Sequence, residues 1–243
     1  MNPRLGEVWV YLAASPLLGL TLTLLAYQGA VLINRRCNGH PLANPVLIAV
    51  AALVALLWLT GTSYQTYFDG AQFVHFLLGP ATVALAIPLY AQLGRLKRMA
   101  GPLIIALLAG SLTAAISAVL IGKLLGASDA TLLSLAPKSV TTPIAMGVAE
   151  RLGGLPSLTA VLVILTGILG AVGARYVYAA LRIKDHAIQG FAMGVASHGI
   201  GTARAFQMSE QTGAFAALAM GLNGLLTALL LPWLMPTLMQ WLH

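Results

Sequence analysis

Five apolar runs, residues 8–33, 45–61, 102–122, 157–181 and 214–236, constrain this chain more than anything else in it. Each approaches or exceeds the roughly 20 residues that a helix needs to cross a bilayer. They are continuous rather than alternating, so they do not read as the ten-residue strands of a membrane barrel. The rest of the chain agrees: 59% of its 243 residues are hydrophobic and 8% are charged, where a soluble domain carries about 25% charged residues. The first run is too long for the core of a signal peptide and lacks a convincing cleavage site after it, so it is expected to stay in the mature chain. The expected fold is therefore an all-α, polytopic membrane helix bundle.

The net charge of +7 would suggest nucleic acid in a soluble protein. Here the basic residues fall mostly in short loops between apolar runs, which is the pattern of membrane orientation, and no nucleic-acid partner is expected. The single cysteine, Cys37, cannot form an internal disulfide, and no Cys/His group has metal-site spacing. Neither a metal nor another cofactor is expected. No nucleophile elbow or zincin helix motif is present, and Gly199-Ile200-Gly201 is too short for a dinucleotide loop, so the chain does not read as an enzyme.

Four of the six acids, Glu7, Asp69, Asp129 and Asp185, recur at intervals of 62, 60 and 56 residues. After each come about ten mainly apolar residues and then a break: Ser15-Pro16, Gly79-Pro80, Pro137-Lys138-Ser139 and Ser197-His198-Gly199. A threonine follows each break: Thr21, Thr82, Thr142 and Thr202. This reads as one membrane domain, 1–243, built from internal repeats with interrupted helices, with repeat halves at 1–124 and 125–243. The loop charge bias reverses between the halves, as in halves of inverted topology, so the expected number of crossings is six to eight. The remaining acids, Glu150 and Glu210, read as solvated loop ends.

The third and fourth breaks are the polar ones. In Pro137-Lys138-Ser139-Val140-Thr141-Thr142-Pro143, each proline removes a backbone donor and disfavours helix in the residue before it. A lysine at the centre of a membrane segment costs roughly 2.5 to 3.5 kcal/mol, so it needs a partner, a cavity or a substrate path. Freed backbone within lipid is tolerated only against protein or a water-filled cavity. In the second polar break, Gly199 and Gly201 are expected to open the backbone to a ligand, and a helix is expected to restart near Thr202. Another is expected to restart near Thr141. Two helix N-termini together with Lys138 and Arg204 would make an anion site. Arg204 would grip a carboxylate with two bonds while Lys138 acts as a point charge. Ser139, Thr141, Thr142 and Thr202 would supply hydroxyls, and His198 a titratable ring.

Blander roles stand beside these. Lys138 can snorkel to an interface or pair with Glu150 or Asp129, and His198 can be a satisfied structural histidine. Asn223 reads as a residue that bonds across helices.

Pro137 to Pro143 and His198 to Ala205 closely resemble the two signature stretches of the LrgB/CidB family, and the likeness runs over essentially the full chain. The resemblance implies a multi-pass protein of the bacterial inner, cytoplasmic membrane, working beside a small LrgA/CidA-type membrane protein. It also implies two kinds of activity. One is transport of small carboxylates, because plastid relatives resemble glycolate/glycerate translocators and bacterial pairs are linked to pyruvate uptake. The other is antiholin-like modulation of murein hydrolase activity and autolysis. The leading expectation is a transporter of glycolate-, glycerate-, lactate- or pyruvate-like monocarboxylates. An antiholin-like protein would instead form a homo-oligomer, for which Gly110, Ala114 and Ala118, or Gly167, Gly170 and Ala174, offer small-residue faces that serve equally well inside one bundle.

Overall fold

The computed structural model describes residues 16–37, 43–77, 80, 83, 84 and 86–242. Glu7, Ser15, Gly79 and Thr82, which belong to the first two sequence copies, lie outside the described residues. Among those described, the ordered elements are ten helices and no strand. The chain forms two compact units, Met1–Ala84 and Leu85–His243.

The first unit holds α1 (Pro16–Arg36), α2 (Pro45–Thr60) and α3 (Tyr64–Phe76). Asn44 starts α2 by accepting the N–H groups of Val46 and Leu47 at 2.9 and 3.2 Å, and Gly61, at φ 63°, ends it in a left-handed turn. With 16 residues, α2 is about 24 Å long, short of a hydrocarbon core of about 30 Å. α1 meets α3 at Gly19, where a Cβ would lie 2.6 Å from the Tyr67 carbonyl oxygen, and Thr23 shares a 2.7 Å hydrogen bond with the Tyr67 hydroxyl.

The second unit holds α4 (Ala86–Ala91), α5 (Leu93–Leu124), α6 (Asp129–Leu135), α7 (Thr142–Leu152), α8 (Pro156–Ala180), α9 (His186–Met208) and α10 (Glu210–Trp241). Capping side chains open several of them. Ser128 accepts Thr131 N–H before α6, Asp185 accepts Ala187 and Ile188 N–H before α9, and Ser209 accepts Thr212 N–H before α10.

Among the described residues, four helices are long and apolar enough to cross a membrane: Leu17–Arg36, Leu93–Leu124, Pro156–Ala180 and Glu210–Trp241. Half of the apolar window of α10 is buried, against 28% for α5 and 22% for α8, so α10 is the central post of the second unit. One core cluster joins Leu103 and Leu107 of α5, Phe191 and Val195 of α9, and Phe215 of α10. Another joins Val119 of α5, Leu132 of α6, Val148 of α7, and Leu231 and Met235 of α10. α9 lies close against α10 because Gly190 and Gly194 face the carbonyls of Thr212 and Ala216, where a Cβ would collide with backbone. Large apolar side chains such as Ile105, Leu169 and Trp233 point outward, as lipid-facing surfaces require.

Candidate functional site

The two polar breaks both fall in the second unit and are built differently. The first is a true gap of residues 136–141 between α6 and α7. Pro137 is fully buried within it, whereas Pro143 is exposed and occupies the second position of α7. A proline there costs the helix nothing, because the first-turn N–H groups have no intrahelical acceptor. Thr141 is the N-cap residue, as expected, but its hydroxyl makes no capping bond. Thr141 and Thr142 are half-buried and Ser139 is buried.

Lys138 is half-buried, and its Nζ donates to the Ala114 carbonyl oxygen of α5 at 2.8 Å. This replaces both acid partners considered from the sequence. Asp129 lies 3.8 Å from Lys123, and Glu150 is exposed. A backbone carbonyl supplies an acceptor but no counter-charge, so the ammonium is oriented without being neutralised.

The second break is a single residue. α9 keeps helical geometry from His186 to Met208 except at His198, where φ is 41° and ψ is −134°. The helix thus resumes at once after His198 and not near Thr202. Gly199 and Gly201 do not supply the opening, because the glycines with positive φ among the described residues are Gly61, Gly126 and Gly153. Gly201 has a steric role: a Cβ there would lie 2.5 Å from Ser197 Cβ and 2.9 Å from the Met193 carbonyl oxygen, which the kink folds toward it. Gly199 has ordinary free space around it. The Thr202 hydroxyl donates to the His198 carbonyl at 2.8 Å, so this hydroxyl is engaged internally.

A bulky residue at positive φ is strained by about 1–3 kcal/mol and persists only where its surroundings hold it. His198 is buried at 4% exposure, and its Nε2 lies 2.9 Å from the Val163 carbonyl oxygen of α8. Gly167 makes room for the ring, since a Cβ there would lie 2.7 Å from Cε1 and Nε2. Gly170 does the same for the Ser197 hydroxyl. Gly110 likewise faces Val195, and Ala118 is buried. The small-residue faces expected to mediate oligomerisation are therefore used largely between helices of this one unit. His198 has the structural role of holding α9 to α8.

Asn223 of α10 joins the two breaks. It is 1% exposed, and its amide group donates to the Val195 carbonyl at 3.0 Å and to the Ser139 carbonyl at 3.4 Å. One side chain thus ties the first break to the last helical turn before the second, while its Oδ1 is buried with no hydrogen-bond partner among the described residues. Arg204 lies beyond the kink, half-buried, and its Nη1 donates to Gln207 Oε1 at 2.9 Å. Lys138 and Arg204 are thus oriented by separate partners. The cavity beside Ala114, about 430 Å³ between α5 and α9, is lined by Pro102, Leu103, Phe191, Val195 and other apolar residues, and offers a carboxylate little to bind.

Ser134 builds one further polar clasp. Ser134 Oγ donates to the Ala130 carbonyl at 2.6 Å and accepts Leu155 N–H at 2.7 Å, and the Thr159 hydroxyl donates to the Ser134 carbonyl at 3.1 Å. It fixes α6, and with it the first break, against the start of α8. Hydroxyl residues deep in apolar stretches were the available signal. No group of His, Cys, Asp and Glu among the described residues is arranged to hold a metal ion.

Comparison with known proteins adds a family. A model described as "LrgB-like family" matches residues 23–237. A Bacillus subtilis (strain 168) protein named "Uncharacterized protein YwbG" is 40% identical over 219 residues, 90% of this chain and 97% of the relative. Proteins named "Antiholin-like protein LrgB" from Bacillus cereus (strain B4264) and Bacillus anthracis (strain CDC 684 / NRRL 3495) are each 31% identical over 223 residues, 91% of this chain and 96% of theirs. No solved structure matches.

Proposed function

Since the chain belongs to the LrgB-like family of membrane proteins, we propose that it carries small 2-hydroxy or 2-oxo monocarboxylates across the bacterial inner membrane, beside a small LrgA/CidA-type partner. The observation that carries this reading is the polar seam inside the second unit. Lys138 sits in a helix break with its ammonium on a carbonyl, and Asn223 ties that break to the strained turn of α9. Interrupted helices whose termini and unwound backbone meet near the membrane midplane are how secondary transporters build sites for charged solutes. Lys138 is the residue assigned to the carboxylate, with Ser139, Thr141 and Thr142 at the same break. Arg204 joins them only if it leaves Gln207.

The proposal includes a repeat. α6, the first break, α7 and α8 follow the same order as the first half of α9, its kink, the second half of α9, and α10. Six to eight crossings, with halves of inverted topology, complete the picture.

A second reading has its own support. The names of the Bacillus cereus and Bacillus anthracis relatives favour an antiholin-like protein that modulates murein hydrolase activity and autolysis, and they do not mention transport. Against it stands the internal use of the small-residue faces.

The test is reconstitution into liposomes, with and without an LrgA-type partner, and measurement of labelled glycolate, glycerate, lactate and pyruvate uptake. Saturable uptake of at least one is expected. Its absence in both preparations would leave the antiholin-like reading in possession.

A further inference from the structure

A second chemistry lies on the outside of the second unit, away from both breaks. α7 ends in a Schellman turn: Gly153 adopts φ 88°, Gly154 N–H bonds the Ala149 carbonyl at 2.8 Å, and Gly153 N–H bonds the Glu150 carbonyl at 3.1 Å. The Ala149 and Glu150 carbonyls are thereby satisfied by backbone, so Arg151 is not needed to cap them. Arg151 makes no hydrogen bond or ion pair among the described residues. It lines an open groove of about 350 Å³ together with Leu152 of α7 and Leu229, Pro232, Trp233 and Pro236 of α10.

Trp233 and Leu229 are 81% and 62% exposed, on a helix long and apolar enough to cross a membrane. The α7 wall of the groove thus offers a permanent cation, and the α10 wall a bare aromatic and aliphatic surface.

We propose that this groove binds an anionic phospholipid, with Arg151 holding the headgroup phosphate and Trp233 and Leu229 lying along an acyl chain. The guanidinium fork matches phosphate oxygens. Tryptophan beside a basic residue is the usual furnishing of the membrane interface, and basic pockets there select anionic headgroups. A free phosphate would use the arginine alone and leave the apolar wall unexplained, so the lipid is the occupant to which the groove commits.

The test uses the full chain in nanodiscs containing brominated phosphatidylglycerol or brominated phosphatidylcholine at equal mole fraction, with the Trp233 emission taken as the difference between wild type and Trp233→Phe. Stronger quenching by the anionic lipid is expected, and equal quenching by the two would overturn the proposal. In parallel, phosphatidylglycerol retained through delipidation is counted by native mass spectrometry for wild type and Arg151→Gln. About a tenfold lower retention is expected for the variant, with phosphatidylcholine unaffected; unchanged retention would overturn the proposal. Inorganic phosphate should neither compete with the lipid nor raise the melting temperature, and if it did both, the site would be one for soluble anions. Should Arg151→Gln fail to fold, Arg151→Lys and the quenching measurement on the wild type carry the decision.

Discussion

The two breaks solve one problem in opposite ways. The first, at residues 136–141, releases several residues from helix and keeps a cation on a single carbonyl, with threonines half-open beside it. The second confines the whole departure to His198 and surrounds that residue with fixed contacts: Val163 on one side, the bare backbone of Gly167 against the ring, and Thr202 on its carbonyl. Prolines make the first break locally, since they forbid the helix whatever surrounds them. The second has no local cause, because nothing in His198 itself prefers φ 41°, and only tertiary packing holds it there. The first break is thus the more open of the two and the second the more fixed, with Asn223 as the link.

Substitutions can break this contrast. The largest effect is expected from Gly167→Leu, which drives a side chain into the space of the His198 ring. Overpacking of this kind costs about 1–3 kcal/mol and more where backbone must move, so folded yield and melting temperature in detergent should collapse. The matching glycine beside the first break, Gly147 of α7, has open space where its Cβ would stand. There Gly147→Ala should be neutral or stabilising by up to about 1 kcal/mol, on helix propensity alone.

Between these lies the strain at His198. Both His198→Ala and His198→Gly lose the bond to Val163, but only glycine tolerates the backbone. The glycine variant should therefore be the more stable of the two, by about 1–2 kcal/mol. Equal stabilities would mean that His198 is not strained.

The smallest effect concerns the Arg95–Asp185 ion pair, which ties the start of α5 to the cap of α9. Partial desolvation raises the Asp185 pKa, but the N–H groups of Ile188 and Ala187 and the Arg95 charge outweigh it and hold the carboxyl below its ordinary value. A depressed native pKa means that the contribution is complete above the unfolded value, near 3.9, and fades as pH falls through the native one. With both side chains about a third exposed, the effect is modest. The stability gap between wild type and Arg95→Gln should be constant from neutral pH down to about 5 and close in acid.

How far the sequence foretells this structure follows the same contrast. The first break is legible because prolines and a lysine in an apolar run act by themselves, and the helix start at Thr142 lies where the pattern puts it. The second falls where the pattern puts it, at Ser197-His198-Gly199, but its form does not: Gly199 and Gly201 carry the outward marks of flexibility, while the turn belongs to His198 and depends on a carbonyl 35 residues earlier. Lys138 bonds a main-chain oxygen of Ala114, a residue whose side chain carries no polar signal, so this partner is not legible in the sequence. Helix identity was easier than helix length: the run at 45–61 forms a helix of only 16 residues between its asparagine cap and its terminal glycine.

The central claim is that Lys138 holds a substrate carboxylate and is not a structural pin. Lys138→Gln tests it directly, because glutamine removes the charge while keeping an N–H donor, on a side chain one bond shorter. Saturable uptake of the best substrate and detergent melting temperature are measured on the same preparations of wild type and variant. A charge-assisted hydrogen bond is worth roughly 1.5–3 kcal/mol, so apparent affinity should fall about 10- to 150-fold while the melting temperature stays within a degree or two of wild type. Unchanged uptake, or a loss of stability that accounts for the loss of uptake, would contradict the assignment.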